Sequence, residues 1–465
     1  VRSDRDLPMT LCAVPTPPMT DVAASMRRGA CPSLAAPMQT GDGLLVRLRP
    51  LDGSLALSQF SAVAEAASRF GNGLLEITAR GNLQVRGLIA STVPALAEAI
   101  GEAAIVVPDG VAIETPPLAG IDPEEIVDPR ALAATLREVI AAQGAALKLA
   151  PKLAIIVDGG GRFHLGDTIA DLRLQAVGRS DDVWWELSLA GTAATAKPVC
   201  ALRTEAVVPV VIRILEALAA IGPAARGRDL DIDAVRALCP PGAGQVPFAP
   251  ALAPASSVVG MHDLGSAGTI LGLGLAYAQI DATSLIAFLQ QASELGGRGI
   301  RLAPSHGFFL LGLERAAAAI VQRLALSQGL RIAPDDPRNH IATCAGSTGC
   351  ASAWMDTKAM ARLWVETVPD LFDGSLTVHL SGCLKGCARP KASALTLVGA
   401  PSGYGLVVNG AAKDGANAYT DENGMKSALE RLAGLVRENK DAGESARSCL
   451  TRLGAARVSA AFEQG

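Results

Sequence analysis

The chain has 465 residues, more than one hydrophobic core usually organises, so two or three domains are expected. Hydrophobic residues make up 49% and aromatics only 3%, so the interiors must be aliphatic. With 18% charged residues and a net charge of −4, the chain lacks the basic excess of a nucleic-acid binder.

In chain order, the opening VRSDRDLPMTLCAVPTPPMT mixes charges and prolines without a continuous apolar run, so it does not read as a signal peptide. Val1 leaves a trimmed or alternative start open. No stretch reaches the ~18–20 uninterrupted apolar residues of a membrane span, and a cytoplasmic protein without a membrane partner is expected. LLVRLRP (44–50) reads as a strand ending at Pro50. Residues 57–70 carry apolar positions at helical spacing, punctuated by Gly71 and Gly73. LLEIT and LQVRGL make two short strands around an Arg80-Gly81-Asn82 turn, and a second helix follows at 92–103. Residues 129–143 look helical, KLAIIVDGGGRFHLG reads as a hairpin across Gly159-Gly160-Gly161, and VWWELSLAG (183–191) adds a strand. PPGAGQVPFAPALAPASSVVG (240–260) has the composition of a linker.

Beyond that linker the pattern repeats. Residues 54–88 and 283–313 align at a constant offset of 225, with Ala67, Ser68, Gly71, Gly87 and Leu88 falling on Ala292, Ser293, Gly296, Gly312 and Leu313. The second unit reads as strand TILGLGL, helix 283–295, two strands around Ser305-His306-Gly307, and helix 314–328. A βαββα order is that of a ferredoxin-like half-domain. The expected architecture is therefore α+β and duplicated. It comprises half-domain 1 (41–120), an α/β region (121–239), the linker (240–260), half-domain 2 (261–333) and a second α/β region (334–440) with a helix at 356–367 and strands LTVHL, ALTLVG and YGLVVNG.

Four of the nine cysteines lie in that last region, as Cys344-x5-Cys350 in TCAGSTGC and Cys383-x3-Cys387 in SGCLKGCARP. Cys12, Cys31, Cys200, Cys239 and Cys449 are scattered singly and read as small buried hydrophobes. Three assignments compete for the four. Structural zinc prefers Cys-x2–4-Cys pairs, which one pair satisfies and the other does not. Incidental thiols fit badly with such clustering. An iron–sulfur cluster accepts varied spacings from flexible loops, and small neighbours let the backbone wrap the sulfurs and donate N–H bonds to them.

Cys-x5-Cys followed by SGCLKGCARP resembles the cluster signature of the nitrite and sulfite reductase superfamily, and LLEITARGNLQVRGL resembles its strand–turn–strand motif. The resemblance runs from about Gly41 to Gly410. It implies two fused ferredoxin-like halves with pocket and cluster regions, and a [4Fe–4S] cluster on Cys344, Cys350, Cys383 and Cys387. In the superfamily that cluster sits beside a carboxylate-rich siroheme, with the last cysteine, here Cys387, bridging to the haem iron. Carboxylates of a macrocycle need cations. Arg80 falls on the family's pocket arginine and Lys152 on one of two pocket lysines, while Lys385 and Arg389 add charge within the second cysteine motif. Two departures stand out: Ala154 occupies the second lysine position, and GVAIETPPLAG lacks an expected basic residue.

The opening RRGACPSLAAPMQTGDGLLVRL and TPPLAGIDPEEIVDPRAL resemble one branch of the superfamily, the precorrin-3B synthases of aerobic cobalamin synthesis. That branch implies a precorrin-3A-like tetrapyrrole as substrate rather than cofactor, O2 as co-substrate, and an external electron donor, either an NADH-linked reductase or a ferredoxin. It also raises a non-haem iron, for which two histidines and a carboxylate are the usual ligands. Only His164, His262, His306, His340 and His379 exist, and none forms such a local motif. His306, in the turn equivalent to that of Arg80, is a candidate for the same pocket, and His379 reads as a packed core residue. A siroheme-dependent nitrite or sulfite reductase is the alternative.

Overall fold

The structure, a computed structural model, describes residues 32–144, 147–179, 182–241, 243, 252–265 and 268–463. Cys12, Cys31, the first residues of the family-like opening and most of the proposed linker lie outside these. Among the described residues the strands form four five-stranded sheets.

Two sheets belong to the half-domains, and they exchange strands. The first carries Met38–Thr40, Gly43–Leu48, Leu83–Leu88 and Leu74–Ile77, and is completed by Gln279–Asp281 of the second half. The second carries Gly260–Asp263, Thr269–Gly274, Gly307–Leu311 and Gly299–Ala303, and is completed by Ser54–Ala56 of the first half. All these pairings are antiparallel. The exchanged strands are themselves 225 residues apart. So are the tight turns before them, where Asp52 and Tyr277 both adopt left-handed backbone (φ 52° and 56°). Each strand leads into an amphipathic helix, Leu57–Phe70 and Ala282–Glu294, and these two helices pack on one another. Phe308 of the second sheet meets Phe60 of the first helix edge-on at 5.7 Å and Phe288 of the second at 6.4 Å. One continuous apolar core therefore serves both halves.

The other two sheets are also a pair. Ala112–Glu114, Ala154–Asp158 and Ala170–Arg179 run parallel, followed by antiparallel Asp182–Gly191 and Lys197–Arg203. In the same order, Ile341–Thr343, Val378–Ser381 and Ser393–Ala400 run parallel, followed by antiparallel Gly403–Gly410 and Ala418–Thr420. The duplication thus spans both domain types.

Three expectations are corrected. KLAIIVDGGGRFHLG does not form a hairpin: the strand Ala154–Asp158 has parallel neighbours on both sides, and the chain returns only at Ala170. All five of its residues are buried, the continuous apolar run of a central parallel strand rather than the alternation of a hairpin. Ala112–Glu114, placed in half-domain 1 by the 41–120 boundary, pairs instead with the α/β strand Ala154–Asp158. The region taken to end at 440 continues through the helix Ala446–Glu463, whose Leu450, Val458 and Phe462 complete its core. No described helix is long and apolar enough to cross a membrane.

Candidate functional site

The two cysteine motifs leave the same end of one sheet. Cys344 follows the strand Ile341–Thr343 directly, and Cys383 lies two residues beyond Val378–Ser381. These strands are parallel neighbours with Thr343 opposite Leu380, so both loops emerge at the carboxyl edge, where open α/β sheets place their ligands. The loops are stitched together. The Trp354 N–H donates to the Gly382 carbonyl at 2.7 Å, and the Gly382 N–H donates to Cys344 Sγ at 3.2 Å. A Cβ at Gly382 would come within 2.5 Å of the Ala353 Cβ and 3.5 Å of that sulfur, so the close approach needs glycine. Cys344, Cys350 and Cys383 are half-buried and Cys387 is exposed. Burial pushes the Cys383 thiol up, the Lys385 backbone N–H opposes this, and the nearby Cys350 and Cys344 thiols add to the rise. Among the described residues no three His, Cys, Asp or Glu side chains are closed into a group that could grip an ion. The donor set nevertheless fits a cluster: four thiols on adjacent loops, one already receiving a backbone N–H, in a cradle only glycine permits.

Both half-domains clamp the first cysteine loop. Arg86, 3% exposed, donates to the Gly349 carbonyl at 2.6 Å and is paired with Asp42 at 2.8 Å and Glu76 at 3.4 Å. Burial would raise the Asp42 carboxyl, but the Arg86 guanidinium holds it below its usual range. A Cβ on Gly41 would fall 2.4 Å from the Ala351 nitrogen, so the backbone of half-domain 1 lies directly against the loop. From half-domain 2, the Tyr277 carbonyl accepts from the Lys358 Nζ at 2.7 Å.

Beneath the second loop stands His379, fully enclosed, with neither ring nitrogen hydrogen-bonded. A Cβ on Gly386 would lie 3.7 Å from its ring. Burial, then the Arg389 guanidinium, push its pKa down to about 4, so the imidazole is neutral at pH 7.

The four basic residues singled out from sequence occupy separate surroundings. Arg80 makes a fork to Glu114 (2.6 and 3.0 Å) and donates to the Ile169 carbonyl at 2.8 Å. It lines a cleft with Arg49, Asp52, Arg137 and Pro304, at the opposite end of its hairpin from Arg86. Lys152 is half-buried just ahead of the strand Ala154–Asp158. Lys385 donates to Ser352 Oγ at 3.0 Å across the two cysteine loops. Arg389 faces His379, with its Nε enclosed and unbonded. His306 does not join the Arg80 cleft. Its turn folds inward, Nδ1 lies 2.6 Å from the Ile77 carbonyl oxygen, and enclosure pushes it to about 4.

Comparison with known proteins gives this geometry a family. Residues 36–103 match the nitrite/sulfite reductase ferredoxin-like half domain. A precorrin-3B synthase from Sinorhizobium sp is 63% identical over 458 residues, covering 98% of this chain and 99% of that relative. The chain belongs to the precorrin-3B synthase family. A ferredoxin–nitrite reductase from Synechococcus elongatus is 24% identical over 440 residues, covering 85% of each chain. The solved structure of Mycobacterium tuberculosis NirA superposes with a TM-score of 0.69 at 17% identity, covering 89% of this chain and 84% of that one, which shows a shared fold.

For this precorrin-3B synthase family member, sequence reasoning missed Gly41, Arg86 and Lys358. Arg86 had a signal: Gln84 and Arg86 alternate with apolar residues in LQVRGL, marking a polar sheet face on which the first cysteine loop rests. Lys358 had none, since a lysine in the first turn of a helix ordinarily reaches water.

Proposed function

We propose that this chain hydroxylates a precorrin-3A-like tetrapyrrole at its C20 meso carbon, with closure of a γ-lactone by the ring A acetate. The observation that carries the proposal is the 63% identity sustained over essentially the whole of both chains. As a monooxygenase reaction it consumes O2, two electrons and two protons, leaving one oxygen atom on carbon and one in water. A [4Fe–4S] cluster held by Cys344, Cys350, Cys383 and Cys387 would supply those electrons one at a time, drawn from an external reductase or ferredoxin in the cytoplasm. The non-haem iron expected of this branch remains part of the proposal without assigned ligands.

The chain's own residues set the stage. Arg86 and Gly41 hold the first cysteine loop against half-domain 1, and the Gly382 N–H disperses charge on Cys344. Arg80, Lys152, Lys385 and Arg389 are assigned to the macrocycle's carboxylates. Because the Arg80 fork is already filled by Glu114, an incoming carboxylate must compete with that side chain, which favours a multiply charged ligand over a small anion. Neutral His379 keeps a second cation away from Arg389 at pH 7.

The test is an absorption spectrum of anaerobically purified protein, with solvent extraction of tetrapyrrole. Broad iron–sulfur absorption without a stoichiometric pigment is expected. Stoichiometric siroheme would overturn the reading in favour of nitrite or sulfite reduction.

A further inference from the structure

Lys358 is the least expected charge in the molecule. It lies in the first turn of the helix Thr357–Thr367, where lysines are normally solvated, yet the residue is only 8% exposed. Its ammonium points into the protein. Nζ donates to the Tyr277 carbonyl at 2.7 Å and to Thr343 Oγ1 at 2.8 Å. Thr343 is the residue before Cys344, and Thr357, the neighbour of Lys358, donates through its hydroxyl to the Cys344 carbonyl at 2.7 Å. Both hydrogen-bond acceptors of the ammonium are neutral, so the cost of burying the charge is left to more distant anions. Those that act on it are Glu76, already shared with Arg86 and Gln84, the Cys344 sulfur and, more weakly, Asp356; Arg86 opposes them.

We infer that Lys358 is a tuning residue: a fixed positive charge beside Cys344 that stabilises the added electron of the bound cluster and so raises its reduction potential. The inference rests on the cluster assignment made above. A cation near a redox centre favours the more negative, reduced state, and low-dielectric surroundings leave its field weakly screened. The ammonium also ties the cluster loop to the Tyr277 turn of half-domain 2, so its position is set by the fold rather than by a flexible side chain.

The experiment measures iron and acid-labile sulfide in the whole protein, then the cluster's midpoint potential by EPR-monitored redox titration. The Lys358→Met and Lys358→Arg variants are compared with wild type. The cavity lined by Tyr277, Arg338, Lys358 and Arg362 leaves room for the arginine. The expected result is full iron and sulfide in all three, a potential shifted negative in Lys358→Met, and a return toward wild type in Lys358→Arg. An unchanged potential in a fully loaded Lys358→Met protein overturns the inference while leaving the cluster assignment standing. Absence of iron and sulfide from the wild type would instead sink the cluster assignment. Should Lys358→Met lose the cluster, Lys358→Gln, which keeps a donor toward the Tyr277 carbonyl, carries the same comparison.

Discussion

Glu125 shows how a single side chain records what its neighbourhood has become. It sits in the first α/β domain, near the loop that corresponds to the second cysteine loop of the other copy. Its Oε2 accepts from the Gly120 N–H at 2.7 Å, while Oε1 is enclosed without a partner. Burial pushes its carboxyl up to about 7, with Asp128, Asp122 and Asp158 adding to the rise. The folded state therefore binds a proton more tightly than the unfolded chain. The associated stability is fully present below about pH 4.5 and is lost as pH rises through 7. Glu125→Gln keeps the acceptor for Gly120 and removes the charge. The variant should gain about 1–2 kcal/mol over wild type at pH 8 and nothing at pH 4, the partial exposure of the site trimming the full linkage value. Urea midpoints at the two pH values check this, and equal differences would refute it. None of this was legible in EEIVDP, where a run of acids reads as solvated surface; only folding places Glu125 among three other carboxylates.

At the scale of elements, what was legible depended on length and periodicity. The helices 57–70 and 282–294 and the strand–turn–strand units carry enough apolar repeats to be read directly, and their common offset exposes the duplication. The strands Ser54–Ala56 and Gln279–Asp281 are three residues each, too short for any period, so their exchange between sheets left no trace in the pattern. The run AIIVD was read with the wrong partner because a strand buried on both faces has lost the alternation that distinguishes a hairpin. The two cysteine pairs stood out in the sequence by their spacing, but what presses on their loops did not. Gly41 illustrates the point: its Cβ-less backbone abuts the nitrogen of Ala351, one residue past Cys350. Gly41→Ala should displace that loop, costing about 1–3 kcal/mol as overpacking does, and lower the iron bound per chain while far-UV circular dichroism stays unchanged. Undiminished iron in that variant would show that half-domain 1 does not position the loop.

For the whole molecule, one duplicated plan has been given two different sheet edges. Four sheets arise from two copies of a ferredoxin-like half and an α/β region, and the halves are fused by exchanged strands into a single core. Onto that symmetric frame the chain places cysteines at the carboxyl edge of one sheet only, among the described residues. The sheet edge of the other holds Asp158, fully buried and capped by the Gly160 and Leu165 N–H groups at 3.1 and 2.8 Å. Such asymmetry suits the proposed reaction, which needs one electron-delivering site and one binding face. The most direct test of that account is reaction of the anaerobically reduced protein with precorrin-3A and 18O2, followed by mass spectrometry of the tetrapyrrole. The account predicts a product carrying one oxygen atom from 18O2, formed only when a reductant is supplied. Unchanged precorrin-3A, or product oxygen derived from water, would contradict it.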